Sequence, residues 1–297
     1  MARGKSINLF LMDGNASGRI KSTLANWTGI AYKIPRTELD KCNERVDLKQ
    51  SGVYFLFGNI EETDENVVYI GQAGSRKNGT GILNRLQEHR SNSEKDYWTE
   101  AVVFMTSDDS FGPTEISYLE NRFCELASEA KRYVVKNANS PTSGNVTEEK
   151  QSELEEFIDN GKIIMGSLGH KVFDPLISPS SNFKNDSETS SNDCNELLYF
   201  NYSDIKATGK RTSDGFVVLK GSSISKQFTK SCPERVFKNR EKYSSKIDEN
   251  SILIENILFK SPSSAAEFVG GASLNGYGKW CNKNGVTLKK IESISKQ

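Results

Sequence analysis

Histidine is the scarcest of the chemically useful residues in this chain, with only His89 and His170 among 297 residues. That scarcity excludes zinc proteases of the H-E-x-x-H type, which need two histidines at helical spacing. No G-x-S-x-G elbow marks a serine hydrolase. The five cysteines, Cys42, Cys124, Cys194, Cys232 and Cys281, are odd in number, far apart and without a C-x-x-C pair. They signal neither a disulfide framework nor a zinc site, so free, reduced thiols are expected. Long apolar runs are lacking too. Ile7 to Met12, broken by Asn8, is too short for a signal-peptide core or a membrane span and reads as a strand. We expect no membrane partner and a cytoplasmic location.

The composition that remains, 35% apolar and 26% charged, is that of a soluble globular protein of one large or two ordinary domains. Net charge is zero overall but unevenly divided. From Lys206 to Gln297 there are 17 Lys and Arg against 8 Asp and Glu, a net of +9; residues 1–205 hold 22 against 31, a net of −9. Between the two regions, Ile177 to Asp193 is rich in Ser, Asn and Asp and poor in apolar side chains, the composition of a linker.

The stretch from Ser51 to His89 organises the rest. Gly52-Val53-Tyr54-Phe55-Leu56-Phe57 and Val67-Val68-Tyr69-Ile70-Gly71 are rich in β-branched and aromatic residues and are separated by acidic turn material, a β-hairpin pattern. A loop carrying Gly74, Gly79 and Gly81 follows. Ile82, Leu83 and Leu86 then recur at helical spacing, and Arg85 and His89, four apart, share one helix face. Further on, Ala101 to Met105 reads as a third strand. Pro113 opens a long helix whose apolar stripe is Ile116, Leu119, Phe123, Leu126, Ala127 and Ala130. At about 100° per residue Glu120 falls on the rim of that stripe, and Glu115 falls as far from its centre on the opposite edge. An acidic helix follows between Val146 and Gly161, packing Leu154, Phe157 and Ile158.

The strings GVY and YIG, followed by an LxRLxxH helix, resemble the GIY-YIG nuclease family, with Gln72 where some members carry a lysine after YIG. The resemblance implies hydrolysis of a phosphodiester in DNA with Mg2+ (or Mn2+). Tyr54, Tyr69, Arg85, His89 and a metal-binding glutamate form the implied site. Tyr118-Leu119-Glu120 resembles the family's glutamate segment, which breaks the tie in favour of Glu120, and Val134 to Pro141 resembles its asparagine loop. Asn137 or Asn139 fills that place, with Asn137 preferred. In the implied chemistry one tyrosine, Tyr54 by preference, orients or deprotonates water. Arg85 stabilises charge on the phosphoryl oxygens and His89 assists proton transfer. The plainer alternative keeps the tyrosines as packing residues, and the alternative function is a catalytically inactive nucleic-acid-binding module on the same scaffold.

The amino-terminal segment reads as a strand, a turn and a second strand ending at Pro35, with Trp27 and Tyr32 as core aromatics. It resembles an extension found on one subgroup of the family. The tail from about Ile205 to Lys290 resembles a small uncharacterised domain found at the carboxyl end of such proteins. There Lys279, Trp280 and Lys283 form either a basic-aromatic nucleic-acid surface or a packed tryptophan among solvated lysines. The expected architecture is therefore α+β: an amino-terminal β extension (1–50), a GIY-YIG-like small sheet flanked by helices (51–176), a flexible linker (177–204) and a separate basic α+β domain (205–297).

Overall fold

Short, largely apolar segments punctuated by Gly, Asn and Asp supply the strands, and longer amphipathic segments supply the helices. The computed structural model of the chain describes residues 4–60, 65–74, 81–137, 144–177 and 196–294. The chain is α+β and divides into two units, residues 1–175 and 176–297, each built around its own sheet.

The first unit contains strands β1 (Ile7–Leu11), β2 (Ile20–Leu24), β3 (Gly29–Pro35), β4 (Gly52–Ile60), β5 (Glu65–Ala73), β6 (Trp98–Thr106) and β7 (Val134–Val135). Its helices are α1 (Ile82–Ser91), α2 (Pro113–Ala130) and α3 (Glu148–Ser167). The strands form one sheet in the order β1-β2-β3-β6-β4-β5-β7. Every pairing is antiparallel except β5 with β7. The two motif strands and the third strand thus share one sheet. The amino-terminal segment is not set apart from them, because β3 pairs with β6 along its whole length from Gly29 to Pro35. Strand β2 was not expected: its Lys21, Ser22 and Thr23 lack an apolar run, and pairing on both sides with β1 and β3 makes the strand.

Strand β4 explains the two-sided architecture. It is buried from Gly52 through Gly58. Because side chains alternate along a strand, Val53, Phe55 and Phe57 face one way and Tyr54 and Leu56 the other. The first set packs with Ile116, Leu119 and Phe123 of α2 and Phe157 and Ile164 of α3. The second packs with Ile82, Leu83 and Leu86 of α1, and with Trp98. Helix α3 runs six residues past the expected Gly161 because Ile164 and Met165 continue its buried stripe. Tyr32 is buried as expected, whereas Trp27 is partly buried against Phe157.

The second unit contains β8 (Leu197–Phe200), β9 (Thr208–Thr212), β10 (Gly215–Val218), α4 (Glu234–Lys242), β11 (Ile257–Phe259), α5 (Pro262–Gly270), α6 (Gly276–Lys279), β12 (Trp280–Cys281) and α7 (Leu288–Ile294). Its sheet order is β11-β10-β9-β8-β12, antiparallel throughout. The expected linker of 177–204 is too long at its end: Leu197–Phe200 is already a strand, with Leu198 and Phe200 buried in the core. Residues 178–195 of that segment lie outside the described residues. Helix α5 opens with Pro262 in its first turn and the Ser261 hydroxyl accepting from Ser264 N–H at 3.1 Å.

The four described cysteines are free, and among the described residues no helix is long and apolar enough to cross a membrane.

Trp280 is fully buried, its ring against Phe200 and Phe216 and its Nε1–H donated to Pro262 O at 3.0 Å. Packing decided this position, since a ring with no exposed surface offers no platform to a base; the reading of Trp280 as part of a nucleic-acid surface is corrected accordingly. Trp280→Ala is expected to cost the second unit about 3–5 kcal/mol. Calorimetry should show its transition falling while that of the first unit stays in place; a shift of both together would contradict the division into two units.

Candidate functional site

The hairpin register places the two motif tyrosines. Tyr54 pairs with Gly71, and Tyr69 stands two residues before Gly71 on the same face, so the tyrosines are diagonal neighbours with ring centroids 6.3 Å apart. Gly71 is required by close approach: any Cβ there would overlap the Tyr54 oxygen and ring. The YIG glycine is thus the floor on which the Tyr54 phenol lies.

Helix α1 adds the next two groups. Its start is tied to the segment just before β4 by Ile82 N–H donating to Gln50 O at 3.2 Å. Arg85 and His89, on one helix face, both reach Tyr54. His89 Nε2 lies 2.7 Å from the Tyr54 oxygen, and Arg85 is hydrogen-bonded to the same oxygen. Tyr69, Tyr54 and His89 form one cluster, the Tyr69 ring centroid lying 6.3 Å from that of Tyr54 and 5.3 Å from that of His89. Tyr54 is 1% exposed and His89 3%, whereas Tyr69 is half-buried and nearer solvent.

Glu120 comes from α2 and is hydrogen-bonded to Gln72 of β5, which lies on the same face of the sheet as Val53. Its charge is felt at Tyr54 and Tyr69, and Arg85 acts on it in return. The two rim glutamates are therefore distinguishable. Glu115 folds back beside Gly112 and its charge is felt at Lys150 of α3. Tyr118 and Arg122, beside Glu120 in sequence, are engaged with Glu155 at 2.7 and 2.8 Å.

Asn137 stands at the end of β7 with both halves of its amide on one residue. Its Oδ1 accepts from Ile70 N–H at 3.1 Å, and its Nδ2 donates to Ile70 O at 2.7 Å. It extends the parallel pairing of β7 by side chain and fixes β5 next to Tyr69. Its role in this geometry is positioning. Asn139 lies outside the described residues. Lys95 was not anticipated: its ammonium lies 3.5 Å from the Tyr69 ring centroid, a cation–π contact. A lone lysine in a polar turn after α1 carries no sequence signal for this.

Beside these groups opens a cleft of about 170 Å³ lined by Gln72, Ala73, Gly74, Gly81, Asn84, Arg85 and Glu88. Arg85 spans from Tyr54 to the cleft, where it pairs with Glu88 at 2.6 Å.

Burial dominates the electrostatics. It raises both tyrosines above the ordinary phenol range, more than Arg85 lowers them, so neither is a resting phenolate near neutral pH. Burial, with Lys95 and Arg85 adding to it, pushes the His89 imidazole down from 6.5 to about 4, so the ring is neutral at pH 7. Burial also raises Glu120, opposed by the Gln72 hydrogen bond and the Arg85 charge. A half-buried carboxylate with incomplete compensation is a group that a bound cation would stabilise. Among the described residues no three His, Cys, Asp or Glu side chains converge. The donor set is one carboxylate, which suits a hard cation completed by water and substrate oxygens and does not suit zinc.

In the second unit, Lys279 lies 5.2 Å from the Tyr202 ring centroid and Lys283 is exposed, on either side of the buried Trp280. Residues 198–292 match the family described as "Domain of unknown function (DUF4357)". No curated protein and no solved structure matches the chain.

Gly71→Ala is expected to displace the Tyr54 ring, cost about 1–3 kcal/mol and break the Tyr54–His89 contact. Gly74→Ala is the control, since among the described residues its added methyl would meet only Ile116 Cδ1, at 3.7 Å, and should change stability by less than about 0.5 kcal/mol. Urea melts of the two variants decide, and equal stabilities would show that the Gly71 contact is not structural.

Proposed function

We propose that the chain is a divalent-metal-dependent endonuclease that hydrolyses phosphodiester bonds in DNA, similar in chemistry to the GIY-YIG nucleases. The observation that carries this reading is the convergence of Tyr54, Tyr69, Arg85, His89 and Glu120, drawn from two strands and two helices, beside one cleft.

Each residue has work suited to its environment. Arg85, in contact with the cleft, binds the phosphoryl oxygens and stabilises the charge that develops on them. Tyr69 takes the water-orienting role at first given to Tyr54, because Tyr54 has almost no exposed surface. Tyr54 serves as the inner link. Its O–H is donated to Nε2 of the neutral His89, which receives that proton as the attacking water gives one up to the tyrosine pair. The negative charge of a bound phosphodiester favours the imidazolium that results. Asn137 holds β5, and with it Tyr69, in place. Glu120 would hold Mg2+ or Mn2+, whose contribution is to stabilise the leaving oxygen. The basic second unit adds DNA affinity, and the protein acts in the cytoplasm.

Glu120→Gln removes the charge a hard cation needs and keeps the side chain's size. Cleavage of a panel of DNA forms in magnesium should fall by about 100-fold or more while DNA binding persists. Glu115→Gln should cleave at the parent rate. Normal cleavage by Glu120→Gln would overturn the metal assignment. DNA binding by a parent protein that cuts no member of the panel would replace the proposal with the catalytically inactive binding module.

A further inference from the structure

The second unit carries a surface that neither the catalytic reading nor the match to an uncharacterised domain assigns. Phe228 and Phe237 are 39% and 45% exposed and lie against each other, with ring centroids 4.4 Å apart and planes tilted by 38°. Single exposed apolar residues need no explanation, but an exposed aromatic pair in mutual contact on a basic surface does. Residues 226–246 hold seven Lys and Arg against two Asp and Glu; Lys226 and Lys230 flank Phe228 in the chain and Lys238 follows Phe237, all three exposed, with Lys238 paired to Glu234 at 3.2 Å.

The pair is held in place from below. Arg240 donates to the carbonyl oxygens of Phe268 (2.9 Å), Ser225 (3.1 Å) and Val269 (3.4 Å), and its guanidinium lies 5.4 Å from the Phe228 ring centroid. Burial lowers this guanidinium to about 10, so it stays charged at neutral pH and sets a fixed positive charge beneath the platform. The Phe228 loop is laid on the end of α5, where Thr229 N–H donates to Gly271 O at 2.9 Å. Gly271 sits at φ +62°, and a Cβ there would press on Gln227 O, so glycine is required both by its backbone and by the loop above it.

We propose that Phe228 and Phe237, with Lys226, Lys230 and Lys238 beside them in the chain, form a docking surface for single-stranded nucleic acid. Flat exposed rings stack on bases that are free of their neighbours, and neighbouring lysines neutralise the backbone; a duplex hides its base faces and would use only the charges. The inference draws on the proposed function for the choice of DNA as probe.

The test is binding by the full chain without magnesium, so that cutting plays no part. Oligothymidylate, oligouridylate and a duplex of equal length are compared in parent protein and in Phe228→Leu/Phe237→Leu, which keeps an apolar patch and removes the rings. The double variant should bind the single strands about tenfold or more weakly and the duplex unchanged. Phe237→Trp supplies a second readout, because its exposed indole emission should be quenched when single strands bind, whether or not the leucine variant folds well. Equal single-strand affinity in the leucine variant, or an indole that oligothymidylate leaves unquenched, overturns the proposal and makes the patch a protein-docking surface. Failure of cleavage in magnesium with the single-strand result intact would count against the nuclease reading alone.

Discussion

Burial of β4 on both faces is the constraint from which the candidate site follows. A strand in that position has no water to satisfy a polar side chain, so the hydroxyl of Tyr54 must be hydrogen-bonded within the protein. It is bonded to His89 at 2.7 Å and to Arg85, both on α1. That requirement fixes how α1 lies against the sheet, which in turn brings Arg85 to the cleft. The same burial keeps His89 neutral and the phenols protonated at neutral pH. A leucine at position 54 would fill the space and leave both α1 residues without their common partner.

The edge of the sheet supplies the other half. Strand β7 pairs with β5 only at Val67 and Val68, and the Asn137 amide continues the pairing at Ile70. Beyond that point Gln72 meets Glu120 from α2, while Tyr69 and Gly71 share the face of Tyr54 and α1. Arg85 of α1, which lines the cleft, thus acts on Glu120 of α2.

Much of this was legible in the sequence. The hairpin, α1, α2 and the shared face of Arg85 and His89 follow from local periodicity, and local patterns survive folding well. What was not legible depends on pairing between distant segments. Nothing in residues 7–35 announces that β3 lies beside β6, nor does Val134-Val135 announce a parallel partner. Helix α4 was missed because it buries only Val236, too little for an apolar stripe. Trp280 beside two lysines fitted a surface and a core equally, and the packing of Phe200 and Phe216 decided it. Glu115 and Glu120 are symmetric on the helix; only the neighbours, Lys150 for one and Gln72 and Arg85 for the other, separate them.

The account depends most on a neutral His89 that receives the Tyr54 proton. With only two histidines in the chain, nitrogen-15 NMR of the imidazoles across pH 3.5–8, with His89→Asn for assignment, reads this directly. The prediction is a His89 ring that stays neutral down to about pH 4, with its proton on Nδ1 and Nε2 accepting. Titration near the ordinary value of about 6.5, or a proton resident on Nε2 at neutral pH, would contradict it.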